Sequence, residues 1–497
     1  MKRIFAGFIL CLVSVAGSAF SEGVSNEQIM KEMKELRDVV KAQNERITRL
    51  EAKLAEKGQG LAASSASVPE AKDVEGIRKS LLPEIKDEVR CAVDSELNKR
   101  DIRIADQGYT IPGGLNIGAD GTFVFQGTPN ANNAGDGEDD RFDGGWSSDI
   151  EITKDFCYDE YGKGLVLILF ETGDNDILGD DLNLFTFTNY DIDNSDSMLR
   201  LTELWYEHHL FDDQLVLRGG KIDVGSRSID TNAFANDETS QFLSDMFRNS
   251  PVIEFASGSN AYRVLGGSAA VKPACIKYVE LSGGYYNADG SWDQVFSHPF
   301  YTGEINLMPD KLMEWDEDQW GGNYRFYSWV NDLKHTKIVE YGVDPNTGST
   351  DVSTRINRAN YGFGMSLDQK ITDVYGVFGR AGWQRPELVP IAGTATLYAA
   401  WSAGAQMTGK YWNRTGDVLG AAIGTVYPSE RYISSTDPGR PSSPETHFET
   451  YYNIRINPHL SISPDLQWIW DPFGVGRADQ GDHDAIFIYG LRCQLDF

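Results

Sequence analysis

The C-terminal segment of the chain alternates strictly. Phe487, Tyr489, Leu491, Cys493, Leu495 and Phe497 occupy one parity, and Gly490, Arg492, Gln494 and Asp496 the other. Successive side chains of a strand point to opposite faces, so such a segment has one apolar-aromatic face and one polar face. The pattern recurs in Val374–Trp383, where Tyr375, Val377, Gly379, Ala381 and Trp383 share a face and Arg380 takes the other. In Glu449–Asn457, Tyr452, Ile454 and Ile456 oppose Glu449, Tyr451, Asn453, Arg455 and Asn457. Strands of this kind suit a soluble sandwich, or a membrane barrel with its apolar face turned outward. Two features favour the barrel. The polar parity mixes charges of both signs with glycine, as a wet lumen does, and the chain ends on an aromatic residue that completes an alternating strand.

Composition marks where this design begins. No Phe, Tyr or Trp occurs between Ser21 and Gly108, whereas all 22 tyrosines and 11 tryptophans lie from Tyr109 onward. Short turns alternate with long acidic, glycine-rich connections such as Asn130–Gly145 and Asp174–Asn183. At roughly 24 residues per strand and connection, residues 108–497 predict an all-β fold, a closed antiparallel transmembrane β-barrel of about 16 strands. Tyr375, Val377, Trp383, Tyr489 and Leu491 are then expected to face lipid. Helical membrane proteins are excluded, because the longest apolar run after residue 20 is Leu165–Phe170 and a spanning helix needs about 20 apolar residues. With 74 acidic against 45 basic side chains and a formal charge of −29, nucleic acid is not a fitting partner.

The first hundred residues follow another plan. Residues 1–21 read as a signal peptide: Lys2 and Arg3, an apolar stretch from Ile4 to Val15, then Ala16, Gly17, Ser18, Ala19 and Ser21. Export is expected, and Leu10 before Cys11 argues against a lipoprotein anchor. Residues 22–57 read as an α-helical coiled coil, with Met33, Val40, Ile47 and Leu54 at one heptad position and Ile29, Leu36, Gln43 and Leu50 at the other. So narrow an apolar stripe cannot be buried by one helix alone, so self-association is expected, with the polar Gln43 fixing register. A Ser/Ala/Gly linker, 58–69, leads to a helical spacer, 70–107, in which Pro83 opens a helix carrying Ile85, Val89, Val93 and Leu97. The four cysteines beyond the leader, Cys91, Cys157, Cys275 and Cys493, lack close-pair metal spacing and read as structural.

Several stretches carry a more specific resemblance. They are LRLTELWYEHHLFDDQLVLRGGKID (Leu199–Asp223), YGFGMSLDQ (Tyr361–Gln369), VFGRAG (Val377–Gly382), LQWIWDPF (Leu466–Phe473) and GLRCQLDF (Gly490–Phe497). In this order they resemble the carbohydrate-selective outer-membrane porin family of the OprB type. The resemblance implies a passive 16-stranded channel for mono- or oligosaccharides in the bacterial outer membrane, in contact with its lipid; a homotrimer is expected from the self-associating coiled coil, matching a trimeric porin. The stalk falls outside it and would lie in the periplasm, in reach of peptidoglycan. A general-diffusion porin, or a structural protein tethering outer membrane to peptidoglycan, is the alternative.

A sugar channel needs paired donors and acceptors to replace hydration, and aromatic faces for C–H surfaces. Glu203, Trp205 and Glu207 lie on one face of a strand, Lys221 and Asp223 on a face of the next, and Arg380, Asp465 and Gln467 on polar faces further on. Arg380 is expected to turn a free guanidinium to the lumen. The long segment Gly225–Phe255 reads as a constriction loop, with Asp230, Asn232, Asp237 and Glu238 as its polar contacts. No cofactor is expected. Asp191–Asp196 (DIDNSD) has calcium-loop spacing, but it lacks the central glycine and has Thr202 at the twelfth position. A divalent cation among acidic external loops is the most such a segment offers. No GxSxG or HExxH frame appears, so the chain reads as a non-enzyme.

Overall fold

The computed structural model describes 103–104, 109–111 and 114–497, apart from 133–139, 159–161, 177, 191–197, 256–262, 336–341, 344–349, 352–357, 389–396, 431–442 and 475–484. The leader, coiled coil, linker and most of the spacer lie outside the described residues, as does the Asp191–Asp196 loop.

Among the described residues eighteen strands form one sheet. Two are short pieces, Arg103–Ile104 and Tyr109–Ile111, which pair with each other and, through the second, with the next strand. The other sixteen are β1 Leu115–Thr128, β2 Arg141–Tyr158, β3 Gly162–Asp176 and β4 Arg200–Leu210. Next come β5 Leu215–Asp223, β6 Arg263–Val271, β7 Val279–Asn287 and β8 Pro299–Leu307. They are followed by β9 Gly322–His335, β10 Arg358–Lys370, β11 Tyr375–Gln384 and β12 Leu397–Gly409. The last are β13 Arg414–Pro428, β14 Glu445–Asn457, β15 Leu460–Trp470 and β16 Ala485–Asp496. Each pairs antiparallel with its neighbour, and β16 returns to β1, with Tyr489 opposite Gly127 and Asp496 opposite Asp120. Closure leaves no strand edge for lipid to leave unsatisfied.

The alternation read in the sequence is realised around this ring. On β11 Tyr375 and Val377 are exposed while Phe378 and Arg380 are buried, and on β16 Tyr489 and Leu491 are exposed while Arg492 is buried. Trp383 lies on the same outer face, its ring stacked at 5.3 Å on Phe363 of β10. Connections alternate between turns such as 371–374 and 458–459 and the long segments 177–199 and 224–262. Sixteen being even, β1 starts and β16 ends on the short-turn side.

Both long segments fold inward, so much of the lumen is filled. Phe242, Met246, Phe247 and Val252 pack on Phe378, Ala400, Ala422, Val426 and Tyr451 of the wall. A second cluster joins Val224, Ile229, Ile253 and Phe255 to Leu167, Leu169, Trp205 and Trp329. Burying a phenylalanine such as Phe242 or Phe247 stabilises the arrangement by about 1.5–3 kcal/mol. The lumen-side glycines fit this role. A Cβ on Gly376 would stand 2.3 Å from the Phe234 ring, and one on Gly424 would stand 2.5 Å from Met246. Glycine at these positions is thus a seat for a side chain of the connection, whereas the sequence pattern had pointed to open water.

Candidate channel constriction

The 224–262 connection is built from two capped turns. Asp223, ending β5, accepts from the Ser226 amide at 2.9 Å and starts the one-turn helix α1, Val224–Arg227. Ser244 caps α2, Asp245–Arg248, in the same way. Arg248 then ties the segment to itself. Its guanidinium donates to Glu238 (2.8 Å), Asp223 (3.2 Å) and the Ser226 hydroxyl (2.8 Å), and it lies 4.1 Å from the Tyr190 ring of the neighbouring connection. Burial opposes its charge, but the carboxylates of Glu238 and Asp223 outweigh that and hold it well above the ordinary guanidinium range.

Wall residues fasten the connection to one side of the barrel. Arg380 donates to the carbonyls of Phe247 and Asp230, the latter at 3.0 Å, and its Nε stands 3.3 Å from the Asp230 carboxylate. Asp230 is fully buried and accepts from the Ser250 amide at 2.6 Å. Burial raises its carboxyl above the usual range, with Arg380 pulling the other way. Ser366 of β10 accepts from Asn232 at 3.1 Å, and Gln406 of β12 donates to the Phe234 carbonyl at 2.7 Å. Glu449 of β14 accepts from the amides of Leu243 (2.6 Å) and Ser244 (3.0 Å). Arg492 of β16 donates to the carbonyls of Glu238 and, at 2.8 Å, Gln241.

Between the fastened connection and the opposite wall is a cavity of about 570 Å³. Asp149 of β2 and Glu203 of β4 line the wall side, with Arg227 of α1 and Arg325 of β9. Asn236, Asp237, Glu238 and Thr239 line the connection side. Glu203 pairs with Arg227 at 3.2 Å, and Arg325 pairs with Asp368.

The residues singled out from the sequence divide into three sets. Glu203, Asp223, Asn232, Asp237 and Glu238 border the cavity. Arg380, Asp230, Asp465 and Gln467 face inward but are covered, at 3%, 0%, 2% and 1% exposure. Gln467 donates to the Thr188 carbonyl at 2.9 Å and to Asp465 at 3.0 Å, beneath the inward segments. Arg380 therefore departs from the expectation of a free guanidinium, because its donors are taken by Phe247 and Asp230. Trp205 and Glu207 also face inward without an open surface. Arg218 and Arg227 lie 4.9 and 5.6 Å from the Trp205 ring, and Glu207 pairs with Arg218 and with His209 at 2.7 Å. Lys221 differs in parity. It lies opposite Leu204, an exposed apolar residue, while its neighbour Ile222 is the one buried inward, and its amine donates to the Leu201 carbonyl at 2.8 Å. The strand's inner face turns apolar there because the connection packs on it, which inverts the polar-inside rule used to assign Lys221.

Arg227, Arg325 and Asp149 were not singled out from the sequence. Arg218 was also missed, yet its position opposite Glu207 across the Phe211–Gln214 turn is a signal that register alone supplies.

The sequence profile described as carbohydrate-selective porin, OprB family, matches residues 173–497. The chain belongs to that family. Among solved structures, the high-pH structure of Pseudomonas putida OprB is similar, with a TM-score of 0.61 at 14% identity over 77% of this chain and 94% of that one. The low-pH structure of the same protein gives a TM-score of 0.43 at 12% identity, over 77% and 93% of the two chains. A mutant of Rh. blastica porin gives 0.43 at 10%, over 77% and 100%. No curated protein matches the chain. Family and fold make it an outer-membrane β-barrel of the porin kind, the architecture of a channel and not of a known class of enzyme.

Proposed function

We propose that this OprB-family porin conducts sugars passively and selects them at the cavity between the 224–262 connection and the β2–β5 wall. The observation that carries this reading is the chemistry of the cavity lining. Guanidinium and carboxylate stand as partners at Glu203 and Arg227, with the side chains of Asn236 and Thr239 across from them. The Arg227 guanidinium offers a pyranose donors, the side chains of Asn236 and Thr239 offer acceptors, and a guanidinium already neutralised by the nearly covered Glu203 does not trap anions. Arg227, a third exposed, is better placed for this than Arg380.

Liposome swelling with sugars of graded size, against size-matched amino acids, tests the proposal. The intact protein should pass small sugars faster than matched solutes, and Arg227→Ala should cut that preference by about tenfold, the lower end of the worth of one charge-assisted hydrogen bond. Equal rates for sugars and matched solutes would make it a general-diffusion porin.

The N-terminal segment supports a further part of the reading, a periplasmic stalk that joins a homotrimer and reaches toward peptidoglycan. Its basis is the heptad pattern of Ile29 to Leu54. The isolated segment 26–57 should sediment as an oligomer in analytical ultracentrifugation. A monomer at high concentration would remove self-association from the proposal.

A further inference from the structure

We infer that the pore prefers cations to anions, and that Asp237, exposed at the cavity, sets this preference. The inference rests on the channel reading but not on sugar selectivity.

Each guanidinium bordering the cavity has a carboxylate partner. Arg227 has Glu203 at 3.2 Å, Arg248 has Glu238 at 2.8 Å and Asp223 at 3.2 Å, Arg263 has Glu171, and Arg325 has Asp368. These pairs are close to neutral toward a passing ion. Asp237 is different. It is exposed at the cavity, and its carboxylate is held by neutral donors, the Thr239 amide at 3.0 Å, the Thr239 hydroxyl at 2.6 Å and the Ser240 hydroxyl. Among the described residues no basic side chain lies within ion-pair distance of it. Three neutral donors fix the carboxylate's direction without neutralising it, so a negative charge stands at the cavity with no ion-pair partner among the described residues. An uncompensated charge of one sign beside an ion path concentrates counter-ions and passes them preferentially.

One unit charge a few ångströms from the ion path, in water-filled surroundings, changes local ion concentrations by about two- to fourfold. The full chain in planar bilayers, under a tenfold KCl gradient, should thus give a reversal potential of cation-selective sign. Asp237→Asn keeps Oδ1 as the acceptor for Thr239 while removing the charge, and its amide nitrogen stands where Oδ2 accepted from Ser240, whose hydroxyl can turn to accept. It should lower the K⁺/Cl⁻ permeability ratio by about two- to fourfold, and protease resistance of the 224–262 connection equal to that of the wild type checks that the connection is in place. The preference should also shrink as salt rises from 0.1 M to 1 M, since screening shortens from about 10 Å to about 3 Å. An unselective or anion-selective wild-type pore would overturn the inference. So would an unchanged ratio in the variant. A chain that conducts no ions at all would instead overturn the channel reading beneath it.

Discussion

Arg380→Ala is expected to release the 224–262 connection from the wall and raise single-channel conductance several-fold, with the barrel itself intact. Arg380 joins β11 to the Phe247 and Asp230 carbonyls and stands beside the Asp230 carboxylate, all within a buried region. Removing one member of such a pair leaves the other buried without a counter-charge, a loss of about 3–5 kcal/mol. That exceeds what a neutral hydrogen bond such as that of Asn232 or Gln406 returns, at about 1 kcal/mol each. The sixteen-strand ring does not depend on this contact, so heat-modifiability on gels should be kept. Limited proteolysis should now cut within 224–262. If conductance and protease resistance matched the wild type, Arg380 would not be the fastening.

Leu491→Lys is expected to destabilise the barrel by about 2–4 kcal/mol, the cost of a lysine at mid-depth on the lipid face. Leu491 lies midway along β16, between Pro464 of β15 and Phe125 of β1, and is 45% exposed on the outer side. A lysine at Glu151 of β2, an exposed residue on the same inward parity as Asp149, should cost less because it does not enter hydrocarbon. Denaturant titration of both variants in lipid vesicles measures the difference. Similar losses for the two would mean that Leu491 does not face hydrocarbon.

The barrel could be read from the sequence because its rule is local. Tyr375, Val377, Tyr489 and Leu491 show their face by parity alone, and the rule that lipid takes the apolar side holds all along those strands. The inward course of the Gly225–Phe255 segment was also legible, since a long connection mixing Phe234, Phe242 and Phe247 with carboxylates has something to bury and something to keep wet. Parity failed at Lys221 for a physical reason. The polar-inside rule assumes water in the lumen, and next to Ile222 the lumen holds Val224 and Ile229 instead.

Sequence by itself determined the strand alternation, the approximate strand number, the acidic balance and the family resemblance, because each depends on residue order within a few positions or on totals. Only the tertiary structure decided which inward charges border the cavity. Arg380, Asp465 and Gln467 share the polar parity with residues of the cavity, yet they are spent on backbone groups contributed by distant segments, as with Arg380 and Phe247. Arg227 and Arg325 reach the cavity because closure of the ring and folding of one connection bring β2, β4, β9 and α1 around the same space. A side chain's face follows from its own strand, but whether that face is covered depends on where a segment far along the chain finds its hydrogen bonds.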